Sequence, residues 1–198
     1  PTSAPTSSDV AFKLPNADGT SGQALVTDAS GNLSFASVAG GKILQVVSAH
    51  KSDTFSQATS AGTFYDITGL SASITPASSS NKILVLFNIN AGFATGWRGS
   101  FRLVRGSTAI NIGDASGSVN RAAFSAVFTG SSSQTEQVSS NFLDSPATSS
   151  NVTYKLQTMG ENGSSYPVYL NRAVAHGNYA YSYRATTIST MTLYEVSA

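Results

Sequence analysis

Residues 82–90 read Lys-Ile-Leu-Val-Leu-Phe-Asn-Ile-Asn, and the apolar run Ile83-Leu84-Val85-Leu86-Phe87 within them decides the fold. A run that is apolar at every position is what a central strand covered on both sides displays. Working outward, alternation replaces continuity. Phe124, Ala126 and Phe128 share one face of a strand, as do Val152, Tyr154 and Leu156, and Val168 and Leu170. From Lys42 onward the chain reads as strand after strand, with Ser, Gly and Asn breaks every 8 to 15 residues. The segments are 42–49, 63–75 (interrupted at Thr68-Gly69), 82–90, 99–105, 108–112, 121–129, 134–143, 151–159, 166–172 and 186–196. No window sustains a 3.6-residue apolar period, so helix content should be low. About ten short antiparallel strands predict an all-β fold, an antiparallel β-sandwich of the jelly-roll type. Leu84, Leu86, Phe124, Phe128, Tyr154 and Leu156 are its expected core.

Upstream of this head the pattern changes. Residues 1–13 hold Pro, Ser and Thr clusters and read as linker. Residues 14–41 read as a β-hairpin neck: Asn16-Ala17-Asp18-Gly19 and Asp28-Ala29-Ser30-Gly31-Asn32 are turn sequences, around the apolar run Ala24-Leu25-Val26 and the alternating Leu33-Ser34-Phe35. Gly40-Gly41 mark a hinge, and 42–198 form the head. A two-stranded unit is at best marginal alone, so the neck must lean on the head or on copies of itself.

Of 198 residues, 34 are Ser and 20 are Thr, while only 11% are charged. That charged share is under half of the roughly 25% usual for soluble domains. Such a surface suits extracellular β-proteins and fibres. The net charge of +1, with basic residues scattered, argues against nucleic acid as a partner. Without cysteine there are neither disulfides nor thiolate metal sites, so stability must come from the core or from oligomerisation. The longest apolar run is five residues, far short of the roughly 20 that span a bilayer as a helix, so membrane insertion is not expected. Beginning at Pro1, the chain reads as a piece of a longer protein, whose upstream region would join it to other virion proteins.

The segment from Leu14 to Phe35, with Asp18-Gly19-Thr20, Gly22-Gln23, Thr27-Asp28 and Gly31-Asn32 at their spacing, resembles a segment that recurs in tail-fibre and other virion proteins of tailed bacteriophages, just before a C-terminal host-facing domain. Residues 71–93, then 150–160, 166–173 and 184–196 ending in Glu195-Val196, resemble the early and closing strands of the TNF/complement-type jelly roll of phage fibre tips. This resemblance implies a homotrimer, a virion location at the tail-fibre surface and adhesion to a bacterial surface glycan or outer-membrane component. Loops 91–100 and 173–185 depart from the family, so fold transfers and ligand does not.

Catalytic signatures are missing. Gly40-Gly41-Lys42-Ile43 lacks the spacing and the hydroxyl of a phosphate-binding loop; no G-x-S-x-G elbow occurs; His50 and His176 stand 126 positions apart. Asp114, Glu136, Asp144 and Glu161 offer no paired carboxylates. No enzyme, metal or cofactor is therefore expected; a capsule depolymerase is the enzymatic rival. The sequons at Asn32, Asn151 and Asn162 matter only in a eukaryotic source. Two segments stand out as receptor-binding candidates. Trp97, the only tryptophan, lies among glycines beside Arg98; an indole stacks on a sugar face and a guanidinium donates to hydroxyls, against the plainer role of capping the sandwich end. Tyr179, Tyr181 and Tyr183, followed by Arg184, point one way if extended, and suit a binding surface or a subunit interface equally. His176 on a trimer axis could ligate a metal, with a surface histidine the simpler reading. Sequence thus favours a virion receptor-binding head; its main rival is a module that decorates the capsid or another virion surface without binding a receptor, and a secreted TNF-like ligand is weaker.

Overall fold

The computed structural model describes residues 11–37, 42–127, 131–160, 166–177 and 185–198. Two compact units emerge, Pro1–Gly41 and Lys42–Ala198.

In the first unit, β1 (Gln23–Thr27) pairs antiparallel with β2 (Leu33–Ser37), Leu25 opposite Phe35. The polar residues of this segment make its turns. Asp28 Oδ1 accepts from the amides of Ser30 (2.8 Å) and Asn32 (3.1 Å), and its Oδ2 from Asn32 Nδ2 (2.7 Å). These bonds, the Asn32 side chain foremost, hold the Asp28 carboxyl below the usual range. Gln23 Oε1 accepts from the Thr20 amide. Gly22 and Gly31 sit at φ of 86° and 88°, where a side chain is strained. Lys13 adds a parallel bridge to Asn32.

In the second unit, β6 (Lys82–Gly92) is central to one sheet, with strands paired along both of its edges. Its neighbours are β13 (Ser189–Val196) and β10 (Glu136–Asp144), and β3 (Ile43–Lys51) lies outside β13. Beyond β13, along the same edge of β6, come β12 (Val168–Leu170) and β4 (Phe55–Gln57). The facing sheet runs β5 (Tyr65–Ile74), β11 (Val152–Gly160) and β7 (Arg98–Arg105), with β8 (Thr108–Ile110) and β9 (Phe124–Val127) sharing the far edge of β7. The orders β3-β13-β6-β10 and β5-β11-β7-β9 interleave early and late strands in each sheet. That is a jelly roll, and among the described residues there is no helix.

The core is filled by alternate residues of both inner faces, among them Ile83, Val85, Ile89, Leu103, Tyr154, Leu156 and Leu193, each with no accessible surface. This corrects the reading of the apolar run. β6 alternates: Ile83, Val85 and Phe87 point inward, whereas Leu84 is half-buried and Leu86 is 38% exposed on the outer face. Tyr154, Leu156 and, partly, Phe124 are in the core as expected, and Phe128 lies outside the described residues. Asn171, at φ 60° and fully buried, holds strand ends together: its Nδ2 donates to the carbonyls of Lys51 and Asp53, and its Oδ1 accepts from Ser189 Oγ.

Loop lengths differ from expectation too. β6 and β7 are long, so the connection carrying Trp97 is only 93–97. Phe93 is buried against Gly99, where a β-carbon would collide with its ring. The longer loop is 111–123, whose end had read as strand because of its apolar residues.

Candidate functional site

The two outward faces of the sandwich differ in charge. On β5-β11-β7, Lys155 Nζ lies 2.7 Å from Asp66 Oδ2, Gln157 Nε2 donates to Asp66 Oδ1, and Arg102 Nε donates to Gln157 Oε1. The Arg102 guanidinium stacks 4.0 Å above the Phe64 ring. Lys155 first, then Gln157 and Arg102, outweigh partial burial and hold the Asp66 carboxyl below its ordinary value. This is a solvated, self-satisfied polar face.

The outer face of β3-β13-β6-β10 is of another kind. Register places Val46, Tyr194, Leu84 and Leu143 in one row across four strands. The next row is Ser48, Thr192, Leu86 and Asn141, and the third is His50, Thr190, Asn88 and Ser139. These twelve positions contain no Asp, Glu, Lys or Arg. Val46 is 53% exposed, Leu143 48% and, one step beyond, Leu44 46%. A shallow hollow of about 410 Å³ is lined by Leu86, Asn88, Asn141, Thr190, Thr192 and Tyr194. The Oδ1 of Asn88 is buried without a hydrogen-bond partner, and a buried polar atom left unpaired is costly.

Two buried carboxylates, Asp144 and Glu195, are structural. Asp144 Oδ2 accepts from the Tyr154 hydroxyl at 2.6 Å, and both its oxygens accept from Arg105 Nη1 at 2.8 and 2.9 Å. Burial, then the Asp144 carboxylate, push the Tyr154 phenol above its usual range. Glu195, 1% exposed, accepts from Asn81 Nδ2, Gln45 Nε2 and the Ala77 amide. Burial alone would raise its carboxyl; these donors, with the Ser78 amide, overcome that and lower it. Asp144 and Glu195 therefore fasten the fold, and Glu136 merely opens β10. Among the described residues no group of His, Cys, Asp and Glu could hold a metal ion.

Of the sequence-predicted site residues, Trp97 stacks on Tyr166 with ring centroids 3.8 Å apart and planes 19° apart. One indole face is thus taken within the chain, which favours the role of pinning the 93–97 turn over that of a free sugar platform. Arg98 is exposed at the start of β7 and lines a groove with Asp114 and Arg121. Tyr179, Tyr181, Tyr183 and Arg184 lie outside the described residues, as does Glu161. Of the described histidines, His50 is exposed on the uncharged face and His176 is half-buried with Nδ1 unpartnered. Sequence reading missed the apolar face, although Leu84 and Leu86 between inward residues were its signal.

No family model matches the chain, and no curated protein matches it. Among solved structures it is similar to one of the infectious bursal disease virus Gt strain, with 16% identity, a TM-score of 0.45 and coverage of 88% of this chain and 42% of that one. For the VP2 subviral particle of that virus, the identity is 13%, the TM-score 0.41 and the coverage 84% and 40%. For T=1 particles derived from it, the values are 12%, 0.42, 84% and 38%. The chain spans about two fifths of the length of these structures.

Proposed function

We propose that the protein is a non-catalytic virion appendage module whose jelly-roll head assembles as a homotrimer through the outer face of β3-β13-β6-β10 and presents its remaining surface to a bacterial surface glycan. The observation that carries the assembly is the uncharged face. A surface with exposed Val46, Leu86 and Leu143 and no ionic group in these three rows, the nearest on β6 being Lys82 at its start, gains most by meeting another that is also poor in charge, because unmatched charges are costly to bury. The copy of itself supplies such a face, whereas the opposite sheet carries Asp66, Arg102 and Lys155. A donor from a neighbouring copy would also satisfy Asn88 Oδ1. The neck segment resembling tail-fibre proteins favours a virion appendage and a host-facing head. Adhesion would then work by avidity, several weak sites acting together.

Light scattering tests the assembly. The wild-type chain should have three times its 20.4 kDa mass, and Leu86→Asp should yield monomer with unchanged far-ultraviolet circular dichroism. A wild-type monomer at micromolar concentration would sink the assembly. Adsorption of the purified protein to bacterial cells, competed by their polysaccharide, tests the adhesion; no adsorption to any strain of a broad panel would favour a decorating module instead.

A further inference from the structure

The outer edge of the sheet containing β7 carries a groove of about 620 Å³, within the roughly 300–1,000 Å³ typical of ligand sites. Its floor is one cross-strand row, since Met159 faces Ser100 and Ser100 faces Ser125, with the two serine hydroxyls hydrogen-bonded at 3.1 Å. Its wall is the 111–123 loop, contributing Asp114, Val119, Asn120 and Arg121. The loop closes on itself through Gly113 N to Ala122 O, and a turn runs from Val119 N to Ser116 O. Arg121 Nε donates to the Gly113 carbonyl at 2.6 Å. That bond anchors the guanidinium and leaves its terminal NH₂ groups without a protein acceptor among the described residues. Asp114, on the same wall, has no hydrogen-bond or ion-pair partner among them either.

We infer that this groove is a saccharide subsite that takes a neutral hexose unit of a surface polysaccharide, an inference that rests on the adhesion reading. A hydroxyl both donates and accepts, so a pair of hydroxyls on a sugar is matched by a carboxylate and a guanidinium together. An anionic ligand would be drawn by Arg98 and Arg121 but would meet Asp114, on the same wall, as a like charge. A cationic ligand would meet Arg121 in the same way. Met159 and the 70% exposed Val119 offer apolar surface to the C–H face of the ring, while Asn120 adds a further donor and acceptor. The site was not legible as a loop in the sequence because Ala122, Ala123 and Phe124 read as strand.

Saturation-transfer NMR on the full chain, with methyl glucoside, methyl galactoside, N-acetylglucosamine and glucuronate as probes, tests it. Transfer to at least one neutral sugar is expected, reduced at least tenfold by Arg121→Ala and by Asp114→Ala, both melting as wild type. Transfer to glucuronate alone, or transfer untouched by both substitutions, overturns the assignment. Cell adsorption separates the two ideas: adsorption retained in both variants leaves adhesion standing and removes the groove. Wild-type protein that neither adsorbs nor transfers saturation to any sugar overturns adhesion and groove together.

Discussion

Tyr154 in one sheet and Asp144 in the other are joined by a 2.6 Å hydrogen bond across the sandwich. The phenol is fully buried and the carboxylate 5% exposed, so neither can turn to water when the other is lost. Arg105, next to Tyr154 across β7 and β11, supplies the countercharge. Apolar packing can let two sheets slide; a directional bond between them fixes one alignment.

Removing the acceptor should therefore cost more than removing the donor. Asp144→Ala leaves a buried phenol unpaired and Arg105 without its carboxylate, and should destabilise by about 1–3 kcal/mol. Tyr154→Phe keeps the ring and the ion pair, and should cost roughly 0.5–1.5 kcal/mol. Thermal melts of both variants check the order, and an equal or reversed ranking would show that the charge carries little.

Two residues of β6, on opposite faces, should behave oppositely. Ile83 has no accessible surface, so Ile83→Ala should cost about 2–5 kcal/mol wherever the protein is measured. Leu86, on the outer face, should lose little in a monomer. Its effect on Leu86→Ala should appear in the assembled protein, as a melting temperature that drops further on dilution than wild type does. A concentration-independent loss at Leu86 would mean that the outer face is not an interface.

The contrast shows what sequence can resolve. Alternation at Val152, Tyr154 and Leu156 named the right inward face because polar residues stood between them. At Ile83–Phe87 no polar residue marks either face, so the pattern reports strand without saying whether the second side meets the protein's own interior or another surface. The longer strands and the jelly-roll topology were legible, since they follow from short apolar segments and turn residues, whereas the three-residue β4 (Phe55–Gln57) was missed. The 111–123 groove was not, because it is made by three segments distant in sequence, and Asp114 has nothing nearby in the chain to mark it. Trp97 drew attention by rarity, and its stacking on Tyr166 depends on a residue about seventy positions away.

Acid should loosen the head through Glu195. Its folded carboxyl is held below the ordinary value of 4.5, so the folded state binds the proton less readily than the unfolded one. The stability it contributes is complete above that ordinary value and is lost as pH falls through the lowered folded one. Glu195→Gln should lower the melting temperature at neutral pH and flatten its decline below pH about 4.5. Melts from pH 7 to pH 3 compare the two, and parallel curves would assign the acid sensitivity to other carboxylates.

The neck makes the last prediction. Its hairpin leaves Leu14 69%, Leu25 49% and Phe35 37% exposed, and the turns that shape it are held by Asp28, Asn32 and Gln23 through local bonds alone. A two-stranded unit with its apolar side chains uncovered is marginal in water. A peptide of residues 11–37 should therefore show no cooperative melt. The head, by contrast, has its core entirely within 42–198, so deleting residues 1–41 should leave its circular dichroism unchanged. If copies of the hairpin cover one another in the assembled protein, the same deletion should weaken the trimer, read as dissociation at a higher protein concentration in sedimentation experiments. A truncated head that unfolds would refute the independence of the two units, and a truncated head that associates as tightly as the full chain would show that the neck adds nothing to assembly.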